Sequence, residues 1–504
     1  MTTFLGIDVG TQGLKTLLLE PGRGVIASAS RPLSTIGGLP DGHSEQHPHD
    51  WLDALRGALG DLRATSPREI GRVVALAVSG QQHGLVVLDR DDRVLRPAML
   101  WNDVRCATEC GEILAALGGA AGSFARTGLA ALPPGFTAGK LRWLFRHERA
   151  TFDRVAQVFL PHDYVNWWLT GERVAEAGDA SGTGLFDVRA RRYDDAACAA
   201  TAPGAMGLLA RLREAGTPCG ALRDAVADEL GLPRGTLVAL GGGDNMMAAI
   251  GAGAVEDGVA VMSLGTSGTV FASSPRPICD PAGELAPFCD STGGWLPLGC
   301  TMNATVATET ARALFGHDLT AFEDAVNACT DGADGVLCLP FFTGERSPDL
   351  PAATGAFLGL TPRNSTPRHL LRAAMEGATY ALVRLLDRLR ALGLPLRELR
   401  LTGGGSRSAT WCRLVATTSG VPTRTGVHAD AAAVGAAVQA AWTHRRARGA
   451  ATLSIAACRQ ELAPDLGLEL LEPDASAAIV HAAHRVRWQI AVDALAPIFP
   501  TLRR

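Results

Sequence analysis

Two short glycine-flanked turns, set about half a chain apart, limit what this sequence can fold into. Residues 4–19 read FLGIDVGTQGLKTLLL and residues 259–273 read VAVMSLGTSGTVFAS. In each, an apolar strand meets a Gly-Thr-x-Gly turn, beginning at Gly10 or Gly265, and returns as a second strand. Glycine suits such turns because it tolerates positive φ. A repeated unit at the head of each half of a 504-residue chain predicts two domains of similar topology. The junction falls where a strand, Thr236 to Leu240, runs into Gly241-Gly242-Gly243, giving domains 1–243 and 244–504.

Around the first turn the pattern reads as strands Phe4–Val9, Leu14–Leu19 and Gly24–Ser30. An amphipathic helix follows, His49–Leu62, with Trp51, Leu55 and Leu59 on one face. The apolar run Val73–Val78 makes a buried strand that ends in SGQQHG. Three strands, a helix and a strand predict a mixed α/β sheet. Near the C-terminus, Ala477–Leu495 reads as a helix packed on the second domain.

Charge and cysteine content remove several function classes. The net charge of −4 excludes a strongly basic nucleic-acid protein and an acidic disordered tail. The 11 cysteines lie scattered between Cys106 and Cys458 without a metal-ligand spacing, which favours a reducing compartment. No stretch approaches a membrane span and no basic-then-apolar leader opens the chain, so the expectation is a soluble cytoplasmic protein without a membrane partner.

Neither common nucleotide motif is present: Gly135–Leu141 imitates a P-loop with too few residues between its glycines, and no GxGxxG opens a helix. The paired turns offer another device. Backbone N–H groups of glycine-rich turns suit phosphate oxygens, and Thr11, Gln12, Thr266 and Ser267 add side-chain donors. Asp8, ending the first strand, would hold Mg²⁺ through water, and Lys15 would neutralise phosphate charge. Ordinary β-turns with a solvated Asp8 fit the same residues. A third glycine cluster, Gly403-Gly404-Gly405-Ser406, lies between the strand at Leu399–Leu401 and a helix from about Thr410, either to admit a nucleotide to the backbone or only to turn the chain. Asp244 follows three glycines and precedes a helical run: it is an N-cap, or a carboxylate that takes the proton of an attacking hydroxyl. Gln81, Gln82 and His83, and Asn102 with Asp103, end strands where a polyol would be held, or serve structural turns.

Taken in order, nine segments resemble the FGGY family of carbohydrate kinases, and within it the kinases of ketopentoses. They are GIDVGTQGLK (6–15), SGQQHG (79–84), LWNDVR (100–105), PGFTAGKLRWL (134–144), DASGTGLFD (179–187), GGGDN (241–245), SLGTSGT (263–269), PFFTGERSP (340–348) and TGGGSRS (402–408). The resemblance implies a two-domain actin-like (ribonuclease H-like) ATPase fold with an interdomain cleft, the sugar on the N-terminal side and ATP with Mg²⁺ on the C-terminal side. It implies phosphorylation of D-xylulose at its 5-hydroxyl, with Asp244 as general base and Gln82, His83 and Asn245 at the sugar, where the strand-end residues Asn102 and Asp103 are further candidates. By the same likeness Gly10, Thr11, Gln12, Lys15, Gly265 and Thr266 face the phosphates, and Gly403, Gly404 and Ser408 the adenosine. The Gln82-His83 pair argues against glycerol, for which relatives carry an arginine-glutamate pair. The family likeness also suggests a homodimer. Two alternatives stay open: a kinase of another ketose or polyol, such as ribulose or an arabitol-derived sugar, and an actin-like ATPase with no sugar activity. The sequence departs from the family at CTMNATVATE (300–309), at Gly139, at Asp430–Ala433 and at Ser408.

Overall fold

The computed structural model describes residues 2–465 and 467–502 and divides into two compact units. The first comprises the chain up to Glu256 with Ser273–Pro297 and Asp430–Asp465; the second comprises Asp257–Ala272, Leu298–Ala429 and the segment after Asp465. Compactness thus does not follow the contiguous halves 1–243 and 244–504. The chain returns late to the first unit, for a reason that lies in its glycines.

The first unit is built on a seven-stranded mixed sheet. Gly24–Pro32, Gly13–Glu20 and Thr3–Val9 run antiparallel in succession, then Val73–Gly80 and Leu237–Ala239 run parallel to Thr3–Val9, and Pro218–Ala221 closes the edge antiparallel. A second seven-stranded sheet repeats this order. Trp295–Thr301, Gly268–Ala272 and Val259–Leu264 are antiparallel, Glu398–Thr402 and Thr423–Thr425 are parallel, and Glu469–Leu471 is antiparallel at the edge. The repeat read from two short turns is therefore a repeat of whole sheets. Neither turn has a residue at positive φ, however. Their glycines answer crowding instead: a Cβ on Gly13 would sit 3.0 Å from the Arg31 carbonyl, and one on Gly268 2.6 Å from Leu382.

Helix Pro48–Thr65 buries Trp51, Leu55 and Leu59 against the first sheet, as its apolar spacing requires. In the second unit, helix Ala475–Leu495 buries His481, His484, Trp488 and Val492. Among the described residues no helix is long and apolar enough to cross a membrane.

The late helix Ala431–Ala447 packs on the first sheet and on helix Asp244–Ala252 at backbone contact. A Cβ on Gly6 would fall 1.9 Å from the Ala433 carbonyl oxygen, one on Gly251 1.9 Å from that of Ala431, and one on Gly435 1.8 Å from that of Met247. No side chain fits there, so three glycines from distant segments create the seat. On the same helix Gln439 donates to the Gly241 carbonyl at 2.9 Å and accepts from the Gly241 N–H at 2.8 Å. A buried amide that satisfies a backbone N–H and C=O together fixes that segment in place. Because the Gly435 contact is with backbone, Gly435→Ala is expected to cost about 3 kcal/mol, the upper end of the usual overpacking range, read as a lowered denaturation midpoint.

Candidate active site

Three parallel strand ends gather the polar residues. Asp8 pairs in register with Ser79, and Gly243 with Gly80, so Asp8, the Gln81-Gln82-His83 turn and Asp244 leave the sheet at one end. Ser79 Oγ donates to Asp8 Oδ1 at 2.8 Å. Asn245 Nδ2 donates to Gln82 Oε1 and to Asp244 Oδ1, each at 2.9 Å, and the Asn245 N–H donates to the same Asp244 oxygen at 2.8 Å. Gln82, Asp244 and Asn245 thus form one constellation from segments 163 residues apart. Gln82 Nε2 is buried with no hydrogen-bond partner among the described residues. An unmade donor of this kind costs about 1–3 kcal/mol, which a ligand oxygen would recover. Gly243 makes the arrangement possible, since a Cβ there would lie 2.7 Å from Gln82 Cγ.

Helix Asp244–Ala252 takes Gly243 as its cap residue, with no side-chain cap bond. The N-cap reading of Asp244 is therefore corrected: it opens the helix, and its Oδ1 binds the adjacent Asn245. Burial, and next the charge of Asp8, push the Asp244 carboxyl up to about 7, against the pull of the Asn245 N–H. Asp8 is raised as well, by burial, with the Ser79 hydrogen bond and Lys15 opposing. These are two mutually repelling carboxylates at the end of one sheet.

His83 sits at φ 63°, a conformation unusual for a residue with a Cβ. Its ring stacks on Phe136 at 4.4 Å between centroids and leans on Phe288 at 5.7 Å. A Cβ on Gly182 would lie 2.5 Å from the imidazole, so glycine is required beneath it. Asn102 is exposed. Asp103 departs from its expected place at the sugar: it is fully buried, accepts from the Ser44 N–H at 2.8 Å and pairs with Arg105 at 2.6 Å. Its carboxylate anchors the loop.

In the first turn Gly10 N–H donates to the Gly13 carbonyl at 3.0 Å. The Thr11 hydroxyl donates to Gln81 Oε1 at 2.9 Å and accepts from Trp101 Nε1 at 3.0 Å, so this side chain belongs to the protein's own network and not to the expected phosphate donors. Gln46 completes that network, donating to the Thr11 carbonyl at 2.7 Å and accepting from Trp51 and Gln81 at 2.9 Å each. Nothing in the sequence around Gln46 signals this role. Gln12 is exposed, and Lys15 is exposed and paired with Asp430 at 2.6 Å.

In the second unit the Gly265 carbonyl accepts from Thr305 N–H at 2.9 Å, and the Thr266 carbonyl from Ala304 at 3.1 Å and Val306 at 3.3 Å. The turn thereby satisfies the free N–H groups that open helix Thr305–Leu314. The departing segment 300–309 forms this start. Thr266 is exposed. Gly403 has φ 84°, and a Cβ on it would meet the Leu264 carbonyl carbon at 2.7 Å, whereas nothing lies within 4 Å of one on Gly404. Ser408 is corrected: its hydroxyl caps helix Ala409–Ser419 through Trp411 N–H at 3.0 Å and donates to Glu323 at 2.7 Å, so the side chain is already engaged.

Residues 3–251 match the N-terminal domain of the FGGY family of carbohydrate kinases, and residues 260–444 match its C-terminal domain. The chain belongs to this family. It is 38% identical to the xylulose kinase of Haemophilus influenzae over 447 residues, covering 88% of this chain and 90% of that one. It is 41% identical to that of Streptomyces coelicolor over 442 residues, 87% of each chain. The crystal structure of xylulose kinase from Rhodospirillum rubrum superposes with a TM-score of 0.87 at 28% identity, covering 99% of both chains. The FGGY protein is thus a carbohydrate kinase, a phosphotransferase that takes ATP as co-substrate, with the two-domain fold expected for it. The alternative of an actin-like ATPase without sugar activity is set aside by this membership.

Because the folded-state value of Asp244 lies above its ordinary 3.8, the unfolded chain loses this proton first as pH rises, and stability falls between about pH 4 and 7. Asp244→Asn should therefore be more stable than the wild type at pH 8, by roughly 2–4 kcal/mol, with the difference gone by about pH 4. Thermal unfolding across that range measures it.

Proposed function

We propose that this carbohydrate kinase transfers the γ-phosphoryl group of ATP to the 5-hydroxyl of D-xylulose, with Asp244 as the general base. The reading rests first on the Gln82–Asn245–Asp244 constellation and is supported by the relatives, which carry the name xylulose kinase. A base works best when its pKa lies near the operating pH, and Asp244, raised to about 7 by burial and by Asp8, meets that condition. In this reading Gln82 Nε2 donates to a sugar oxygen, and His83 and Asn245 line the same end of the sheet, with Asn102 at its exposed rim.

The sugar falls to the N-terminal half and the nucleotide to the C-terminal half. Gly10, Gln12, Lys15, Gly265 and Thr266 would face phosphates, and Gly403 and Gly404 the adenosine, where Gly404 leaves its surface open. Asp8 fits a magnesium ion in the donor type it offers and in its need for positive charge, since burial alone disfavours its ionised form. Bound through Asp8, such an ion would neutralise phosphate charge.

ADP release coupled to a panel of D-xylulose, D-ribulose, L-ribulose, D-fructose, glycerol and D-arabitol should show the highest kcat/KM with D-xylulose. Faster turnover of another member moves the substrate and keeps the reaction. Asp244→Ala should retain both ligands and lose about 10²–10⁴-fold in kcat. Asp8→Asn should raise the KM for Mg·ATP more than that for the sugar.

A further inference from the structure

Forty-five arginines and two lysines make up the basic residues of this chain. Lysine differs from arginine in its compact ammonium on a flexible stem, which matters most where the side chain is buried. One is exposed Lys15; the other, Lys140, is fully buried on helix Thr137–His147. Its ammonium donates to the His83 carbonyl at 2.8 Å and to the Gly135 carbonyl at 2.6 Å. Thr137, one turn earlier, donates its hydroxyl to the same His83 carbonyl at 3.2 Å.

The space around Lys140 is tight. A Cβ on neighbouring Gly139 would lie 2.3 Å from Cys110 Sγ and 3.0 Å from Cys106 Sγ. Burial pushes the Lys140 amine down to about 7, with Cys106, Asp103 and Cys110 opposing and Arg105 adding to the fall. A cation this costly to bury belongs where its hydrogen bonds are needed. One of those bonds ends on the carbonyl of His83, the residue held at φ 63° next to Gln82, whose Nε2 has no partner among the described residues. Strain of this kind costs about 1–3 kcal/mol and persists only when its surroundings over-determine it. Lys140 and Thr137 constrain the His83 carbonyl, and Phe136 and Phe288 hold its ring.

We propose that Lys140 is a positioning residue for the sugar, fixing the Gln82-His83 turn through the His83 carbonyl without touching substrate. The inference rests on the proposed sugar reaction. Lys140→Met keeps the length and apolar stem of the side chain and removes the donor. Loss of a charged hydrogen bond predicts a KM for D-xylulose raised about tenfold to a hundredfold, with the KM for Mg·ATP within about twofold of wild type. The scarcity of lysine supplies a readout on the intact enzyme. With [¹³C]lysine the protein gives two side-chain Cε signals, and Lys15→Arg identifies the one belonging to Lys140. That signal should shift when D-xylulose is added. An unchanged sugar KM in a folded Lys140→Met, or equal rises in both KM values, overturns the proposal. So does a Lys140 signal that ignores a sugar the enzyme phosphorylates. If no sugar of the panel supports ADP release, the reaction itself fails and the positioning role falls with it.

Discussion

The first unit depends on one contact: helix Ala431–Ala447 resting on backbone where Gly6, Gly251 and Gly435 leave no room for a side chain. Close helix packing of this kind gains dispersion along its whole length and tolerates no added methyl group. It also fixes what lies at either end of its partners. Gly6 precedes Asp8 on the same strand, Gly251 lies in the last turn of the helix that Asp244 opens, and Gln439 ties down Gly241 at the start of the glycine run. At its own start, Asp430 pairs with Lys15. Two carboxylates from opposite ends of the first 250 residues are held at one sheet end by a helix that arrives near residue 431.

That placement carries an electrostatic consequence. Each carboxylate is desolvated, and the charge of Asp8 further raises the affinity of Asp244 for a proton. Such an arrangement lowers the stability of the fold as the pH rises toward 7, and the proposed role of Asp244 as general base makes it the trade expected where stability is given up for chemistry. The left-handed His83 and the buried Gln82 Nε2, without a partner among the described residues, belong to the same pattern, since both are unfavourable features that the surrounding packing enforces.

Much of this was legible in the sequence, and the parts that were not have physical reasons. Strand and helix periods located Thr3–Val9, Val73–Gly80 and Pro48–Thr65 within a few residues, because each buries a continuous apolar face. The Gly-Thr-x-Gly repeat foretold two sheets of one topology. Its glycines do not serve positive φ, as such turns would suggest, but avoid neighbouring side chains and carbonyls. Domain membership could not be read, since Ala431–Ala447 is drawn back by glycines hundreds of residues away. Thr11, Asp103 and Ser408 carry the right chemistry for ligands, but their oxygens are committed to Gln81 and Trp101, to Arg105 and Ser44, and to Trp411 and Glu323. Those partners are distant in sequence or of types common in any loop. Gln46 and Lys140 carry no signal in the sequence for a related reason: Lys140 bonds only backbone carbonyls, and Gln46 joins a backbone carbonyl to side chains far from it in the chain or of common type.

The coupling of Asp8 to Asp244 is the centre of this account, and carboxyl titration tests it most directly. In protein labelled with [¹³C]aspartate, the signal lost in Asp244→Asn identifies Asp244. The account predicts that this signal titrates near pH 7 in the unliganded enzyme and moves to lower pH in Asp8→Asn. A midpoint near the ordinary aspartate value in both proteins would contradict it.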